Sequence, residues 1–174
     1  MPPALWWLGR DLRQDDNPAL LAASRQGPVL PVFVIDAATR AQGAASRWRL
    51  AQGLRALDAA LRQQHGRGLL ILEGAPETLL PALAAGLDAT AIHHSDWPCP
   101  AMAETQDRLR RALEGSAIRL HLHPGHLLLH PGAIRSGSGS AYRVFTPFAR
   151  ALRAHGPDQP VPAPKALTIA APPP

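Results

Sequence analysis

Val29-Leu-Pro-Val-Phe-Val-Ile35 is the stretch on which the fold turns: seven apolar residues without a polar break, set between Gly27 and Asp36. A run of that length is a strand, and its continuity is what a strand covered on both faces requires. Pro31 inside it points to a place near the strand's start or at the sheet edge, because proline cannot donate to a ladder. Upstream, Ala4–Leu8 (ALWWL) is a second short apolar strand. Between the two, Asn17-Pro18 starts a helix, with asparagine as cap and proline in the first turn, that runs to Gln26 and stops at Gly27.

Downstream the alternation of strand and helix continues. The spacing predicts a long helix from Ser46 to about His65, with Leu50, Leu54, Leu57 and Leu61 along one apolar stripe. Leu69–Leu72 is a third strand. Pro76–Leu87 is helical, with Pro81 placing the start of its regular part. Ala89–His93 is a fourth strand, Pro100 to Leu113 a helix with Met102, Leu109 and Leu113 inward, and Ala117–Leu122 a fifth strand. Trp6, Trp7 and Trp48, with apolar neighbours, are expected in the core, while Trp97 on a loop is the tryptophan expected to meet a ligand. Strands joined by helices must run parallel, since each crossover returns the chain in the same direction. The expected fold is therefore α/β: a doubly wound, Rossmann-like, five-stranded parallel sheet of order 3-2-1-4-5, with helices on both faces.

Residues 1–134 form this domain. Residues 135–155 hold a flexible loop, Arg135-Ser-Gly-Ser-Gly-Ser140, and a short helix from Thr146, its expected cap, to His155. Residues 156–174 are rich in proline and read as a linker or frayed tail.

With 174 residues and 46% hydrophobic content, the chain can bury one sizeable core but not two. Its net charge of +5 is almost all arginine, Lys165 being the only lysine, and is scattered instead of forming a block; contact with DNA is expected only indirectly. Cys99 is the only cysteine, which excludes an internal disulfide and fits a reducing compartment. The start lacks the basic and apolar regions of a signal peptide, and no stretch reaches the roughly 20 apolar residues of a membrane span. A cytoplasmic protein without membrane contact is expected.

Complete catalytic and nucleotide motifs are missing. There is no G-x-G-x-x-G after the first strand, and Gly137-Ser-Gly139 lacks the continuation of a phosphate loop. Ser95-Asp96 beside His93 and His94 has no sharp glycine turn to present a nucleophile. Asp15 and Asp16 serve a turn and a helix dipole better than acid–base chemistry, and Cys99 lies between prolines without an activating base. His121, His123, His126 and His130 invite a metal, but a Pro-Gly turn interrupts them and no carboxylate is near to orient the rings, so no metal is expected. What the fold class does predict is a crevice beyond the carboxyl ends of the strands, formed here by 9–13, 36–38 and 94–97, with Arg10, Asp11, Arg13, Asp36 and Asp96 in it.

Three segments resemble the DNA photolyase and cryptochrome family. Trp7-Leu-Gly-Arg-Asp-Leu-Arg13 followed by Asp16-Asn-Pro-Ala-Leu20 is similar to the family's W-F-R-x-D-L-R…D-N-x-A-L opening; Gly43-Ala-Ala-Ser-Arg-Trp48 begins the long helix; Tyr142-Arg-Val-Phe-Thr-Pro-Phe148 is the most specific. The resemblance covers about residues 5 to 155 and identifies the chain with the family's amino-terminal α/β domain. It implies a light-harvesting antenna chromophore, a folate, a deazaflavin or a flavin, held by Arg10, Asp36, Ala37, Ser46, Arg47, His94, Ser95 and Asp96. It further implies that FAD chemistry and dimer splitting belong to a larger helical flavin domain, which these residues lack, so that no lyase activity is expected of them alone. The chain is then expected to be a truncated product or one half of a split protein, with such a domain supplied in trans as the implied partner of the second.

Departures from the family pattern bear on the pigment. Gly9 stands at an arginine position, Leu8 at an aromatic or histidine position, and His94 where folate-type members carry asparagine; Pro98 replaces the acidic residue expected next, so the clamp for a pterin is missing and a deazaflavin, a flavin, a nucleotide or no antenna at all stay open. A free-standing nucleotide-binding module in the same crevice and an interaction module are the rival readings. Visible or near-ultraviolet absorbance favours the antenna, stabilisation by adenine nucleotides the second, and an exposed apolar patch around Val144, Phe145 and Phe148 the split or interaction readings.

Overall fold

The apolar runs do become the centre of a sheet. The computed structural model describes residues 1–97, 99–125, 127–129 and 132–173. Strand β1 (Ala4–Trp7), β2 (Val29–Ile35), β3 (Leu70–Glu73), β4 (Ala91–Ser95) and β5 (Arg119–His123) all pair in parallel, in the order β3-β2-β1-β4-β5. Helices α1 (Pro18–Gln26) and α3 (Ala44–His65) cover one face, burying Leu20, Leu54, Leu57 and Leu61 against Trp6 and Phe33. Helices α4 (Pro76–Ala85) and α5 (Pro100–Ala112) cover the other, burying Leu80, Leu83 and Leu109 against Leu5, Val32 and Ile92. The expected doubly wound order is thus the observed one.

Local differences have physical reasons. Pro31 sits in a central strand. In β2 the even-numbered residues face β1, as the bond from the Leu8 amide to the Val32 carbonyl shows. Odd-numbered ones face the opposite side, where Val29 and Ile35 find their partners. Pro31 falls on that side before the β3 pairing begins at Val32, where no ladder donor is required. Pro81 lies inside α4, which is regular from Pro76 onward; in the second turn it forgoes one intrahelical bond. A short helix that the sequence did not signal, α2 (Ala37–Arg40), follows β2, with Asp36 as its cap. Trp48, expected in the core, is 66% exposed.

The chain divides into two units. The first is 1–125 together with 161–174, and the second is 126–160. Residues 161–173 therefore differ from the expected tail. The Val29 amide donates to the Thr168 carbonyl and the Ala170 amide to that of Val29, both at 2.8 Å, while Ile169 is buried and Leu167 packs beside it. Proline-rich sequence hid this because only the few residues facing β2 need an N–H. Ile169→Ala is expected to lower unfolding free energy by about 2 kcal/mol, which urea denaturation will measure; an unchanged midpoint would mean that the segment does not add to the fold.

In the second unit, α6 (Phe145–His155) starts one residue before the expected Thr146 cap, with Val144 at the cap position and no side-chain bond there. Among the described residues, no helix is long and apolar enough to cross a membrane.

Candidate functional site

The parallel order reverses direction between β1 and β4, so the loops leaving these strands diverge and open a crevice. The sequence Gly9–Asn17 builds one wall and locks itself. Asp11 is buried and accepts from the Ser95 hydroxyl at the end of β4 and, at 3.5 Å, from the Asn17 amide. Asn17 caps α1, its oxygen accepting the Leu20 N–H at 3.0 Å, and donates to the Arg13 carbonyl at 3.0 Å. The Arg13 guanidinium in turn donates to the carbonyls of Asp16 and Gly125, each at 2.7 Å. Asp16 takes φ +50° at the turn before the cap, a conformation aspartate tolerates better than most residues. Asp11, Arg13, Asp16 and Asn17 thus fix the ends of β1, β4 and β5 relative to one another.

Between these loops lies a cavity of about 340 Å³, within the size range of small-molecule sites. Trp7, Phe33, Val34 and Met102 give it apolar walls, and Gly9, Arg10, Asp36, Thr39, His94, Ser95, Trp97 and Thr105 give it polar and backbone edges. His94 stacks on the Trp7 indole with ring centroids 3.9 Å apart. Its Nδ1 lies 2.8 Å from the Trp7 carbonyl oxygen, which makes Nδ1 the donor and fixes the imidazole tautomer. Arg10 reaches from its loop over the face of Trp97, 5.5 Å from the ring centre. Gly9 keeps the wall open: a Cβ there would lie 3.3 Å from an Asp11 carboxylate oxygen and 3.5 Å from His94. A flat aromatic ligand fits such walls, which offer stacking faces below and hydrogen-bonding edges around.

A second cavity of about 640 Å³ adjoins the first, sharing Arg10, Asp11, Gln42 and Leu50 with it. It runs between residues 10–13 and the α3 face that bears Ser46, Arg49 and Gly53.

Of the eight residues expected to hold a cofactor, Arg10, Asp36, His94 and Ser95 line the smaller cavity, and Ser46 the larger. Asp36 also accepts the Thr39 N–H at 2.7 Å as the α2 cap. Ala37, Arg47 and Asp96 are not brought into either lining. Ala37 opens α2 and is exposed. Arg47 donates to the carbonyls of Arg40 and Gln42 at 2.9 and 2.7 Å, which pins the turn between α2 and α3. The Asp96 amide extends the β4–β5 ladder to the His123 carbonyl at 2.7 Å. Sequence reasoning missed Met102 and Thr105, three residues apart on α5, whose common face was the available signal. It also missed Phe33 and Arg49.

The histidines make a different feature on the α1-covered face. His93 on β4 is buried, with Nδ1 2.9 Å from Nε2 of His123 on β5 and its ring stacked against His121 and His123 at 4.9 and 5.1 Å. Burial, reinforced by the two neighbouring imidazoles, pushes the His93 pKa down to about 4 and lowers that of His123 as well. Stacked rings do not converge on a point, and among the described residues no three histidine, cysteine or acidic side chains are placed to share a metal. His126 and His130 lie outside the described residues. Ser95 donates to Asp11, not to an imidazole, so the candidate hydrolase grouping does not assemble as nucleophile and base.

Comparison with known proteins gives one consistent result. The DNA photolyase family profile matches residues 4–165. A deoxyribodipyrimidine photo-lyase of Thermus thermophilus is 38% identical over 167 residues, covering 96% of this chain and 37% of that protein. The crystal structure of a bacterial class III photolyase from Agrobacterium tumefaciens superposes with a TM-score of 0.85 at 32% identity, over 98% of this chain and 36% of that one. An archaeal photolyase from Sulfolobus tokodaii, solved with two FAD molecules that imply a novel light-harvesting cofactor, shares the fold with a TM-score of 0.83 at 21% identity, over 97% of this chain and 38% of that one. The chain spans a little over a third of the length of each of these relatives.

Proposed function

Since the chain belongs to the DNA photolyase family, we propose that its α/β unit holds a light-harvesting chromophore in the cavity between the ends of β1, β2 and β4. The observation that carries this reading is the cavity itself, about 340 Å³ with Trp7, Phe33 and Met102 as walls and His94, Ser95 and Arg10 as polar edges. Trp7 and His94 present one stacked aromatic surface, and the bond from Nδ1 to the Trp7 carbonyl fixes the orientation of the imidazole. Ser95, whose proton goes to Asp11, offers oxygen lone pairs. A ring with donor edges, as in a pterin, a deazaflavin or a flavin, matches this set. The bound pigment would absorb light and pass on the excitation energy. Protein side chains hold it and keep water from its faces. The two FAD molecules of the archaeal relative support a flavin as one of the three candidates.

Dimer splitting is assigned in this reading to a helical flavin domain that docks on the second unit and is not formed by these residues. Support comes from the second unit, where Val144 and Phe145 are exposed at the start of an amphipathic helix and Phe148 packs edge-on against Tyr142. Residues 4–165 by themselves are expected to show no light-driven repair, and repair by the purified chain alone would overturn that assignment.

Chromophore binding is tested by titrating the purified chain with a folate, a deazaflavin and a flavin, following ligand fluorescence and absorbance. At least one is expected to saturate. Gly9→Leu, which drives a side chain into the wall formed by Asp11 and His94, is expected to weaken it at least about tenfold, with thermal melting showing the fold retained. If none of the three saturates, the reading falls.

A further inference from the structure

We propose that the larger groove beside the cavity receives an anionic appendage of the chromophore, a phosphate or a carboxylate, and that Arg49 selects for it. This rests on the chromophore reading and adds a ligand class to it. The two spaces share Arg10, Asp11, Gln42 and Leu50, so the larger lies directly beside a ligand whose ring fills the smaller.

The charges facing the groove are unequal. Arg10, Arg13 and Arg49 line it against Asp11 alone. Asp11 is already the acceptor for Ser95 and Asn17. Arg13 is engaged by the carbonyls of Asp16 and Gly125 and lies 3.6 Å from the Asp16 carboxylate. Arg10 rests on the Trp97 face, and no carboxylate among the described residues pairs with it or with Arg49. Two guanidinium groups therefore lack a local anion where a ligand's tail would lie. A guanidinium fork bonds phosphate and carboxylate oxygens with charge assistance, whereas a neutral ligand offers it only weaker, uncharged acceptors.

The groove is also shaped for a tail. Ser46, Arg49 and Gly53 follow one another at helical spacing on the face of α3 that looks at residues 10–13. Leu12 leans over α3 at Gly53, where a Cβ would lie 2.8 Å from its Cδ1 and would make that side chain shift. Arg49 lies one helical turn before Gly53 in the same lining.

Equilibrium titration of the purified chain, read by ligand fluorescence, tests this with two matched pairs: FMN against riboflavin, and folate against a pterin without the glutamyl tail. The anionic member of at least one pair is expected to bind about tenfold or more tightly at low salt, with the advantage shrinking as salt is raised. An advantage for FMN identifies phosphate, and one for folate identifies carboxylate. Arg49→Gln is expected to abolish the advantage and Arg49→Lys to keep part of it, with the neutral member's affinity unchanged in both. Equal binding of the two members of each pair that binds, or an advantage that survives Arg49→Gln, overturns the proposal while leaving chromophore binding intact. Failure of both pairs to bind at all overturns the chromophore reading for pterin and flavin, and this inference with it.

Discussion

Trp6→Ala is expected to lower the unfolding free energy by about 3–5 kcal/mol, whereas Trp48→Ala should change it by less than about 0.5 kcal/mol. Trp6 is 1% exposed on β1, the central strand, where it packs between α1 and α3 with Leu20, Leu57 and Leu61 in the same cluster. Truncation removes the apolar burial and leaves a void that helices packed on both sides of it cannot easily collapse into. Trp48 is 66% exposed on α3 and makes no such contribution. Urea denaturation should show the first substitution shifting the midpoint with little change in slope, and the second leaving the curve nearly in place. Similar losses for the two would mean that Trp48 is packed after all.

That pair also shows what could be read from the residues alone. Strand order and helix placement were legible because each element declares itself locally, through an apolar run, a glycine stop or a leucine stripe. Trp48 was misread by its apolar character, although its position already held the answer. It lies two residues before Leu50, about 200° around the helix from that stripe. The location of the crevice was legible from topology, and four of its predicted residues, Arg10, Asp36, His94 and Ser95, line the cavity. Its internal wiring was not. Asp11 meets Ser95 across 84 positions of sequence and Arg13 meets the Gly125 carbonyl across 112, and no periodicity announces a contact of that kind. Ile169 was hidden for a similar reason: a single bridge to Val29 leaves no alternating pattern to find.

Acidification provides the second large effect, and its sign follows from His93. In the fold its pKa is held at about 4, first by burial and then by the neighbouring imidazoles of His123 and His121; in the unfolded chain it returns to about 6.5. Above pH 6.5 the ring is neutral in both states and its contribution to stability is complete. As the pH falls below 6.5 the unfolded chain takes up a proton that the folded one refuses, so stability declines until the folded pKa is reached. The slope approaches 1.4 kcal/mol per pH unit for this one group, and the loss reaches about 3 kcal/mol near pH 4. His123, also lowered, adds to the decline in the same direction. Asp58, lowered chiefly by its bond to Arg62, acts below this window, since its stabilisation is lost only as pH falls under the ordinary carboxylate value of 3.8. Urea denaturation at pH 7.5 and pH 5.0 should therefore differ by at least about 2 kcal/mol in the native chain and by clearly less in His93→Asn. Equal stability at the two pH values would show that the ring takes up its proton inside the fold, and an undiminished difference in the variant would assign the decline to other groups.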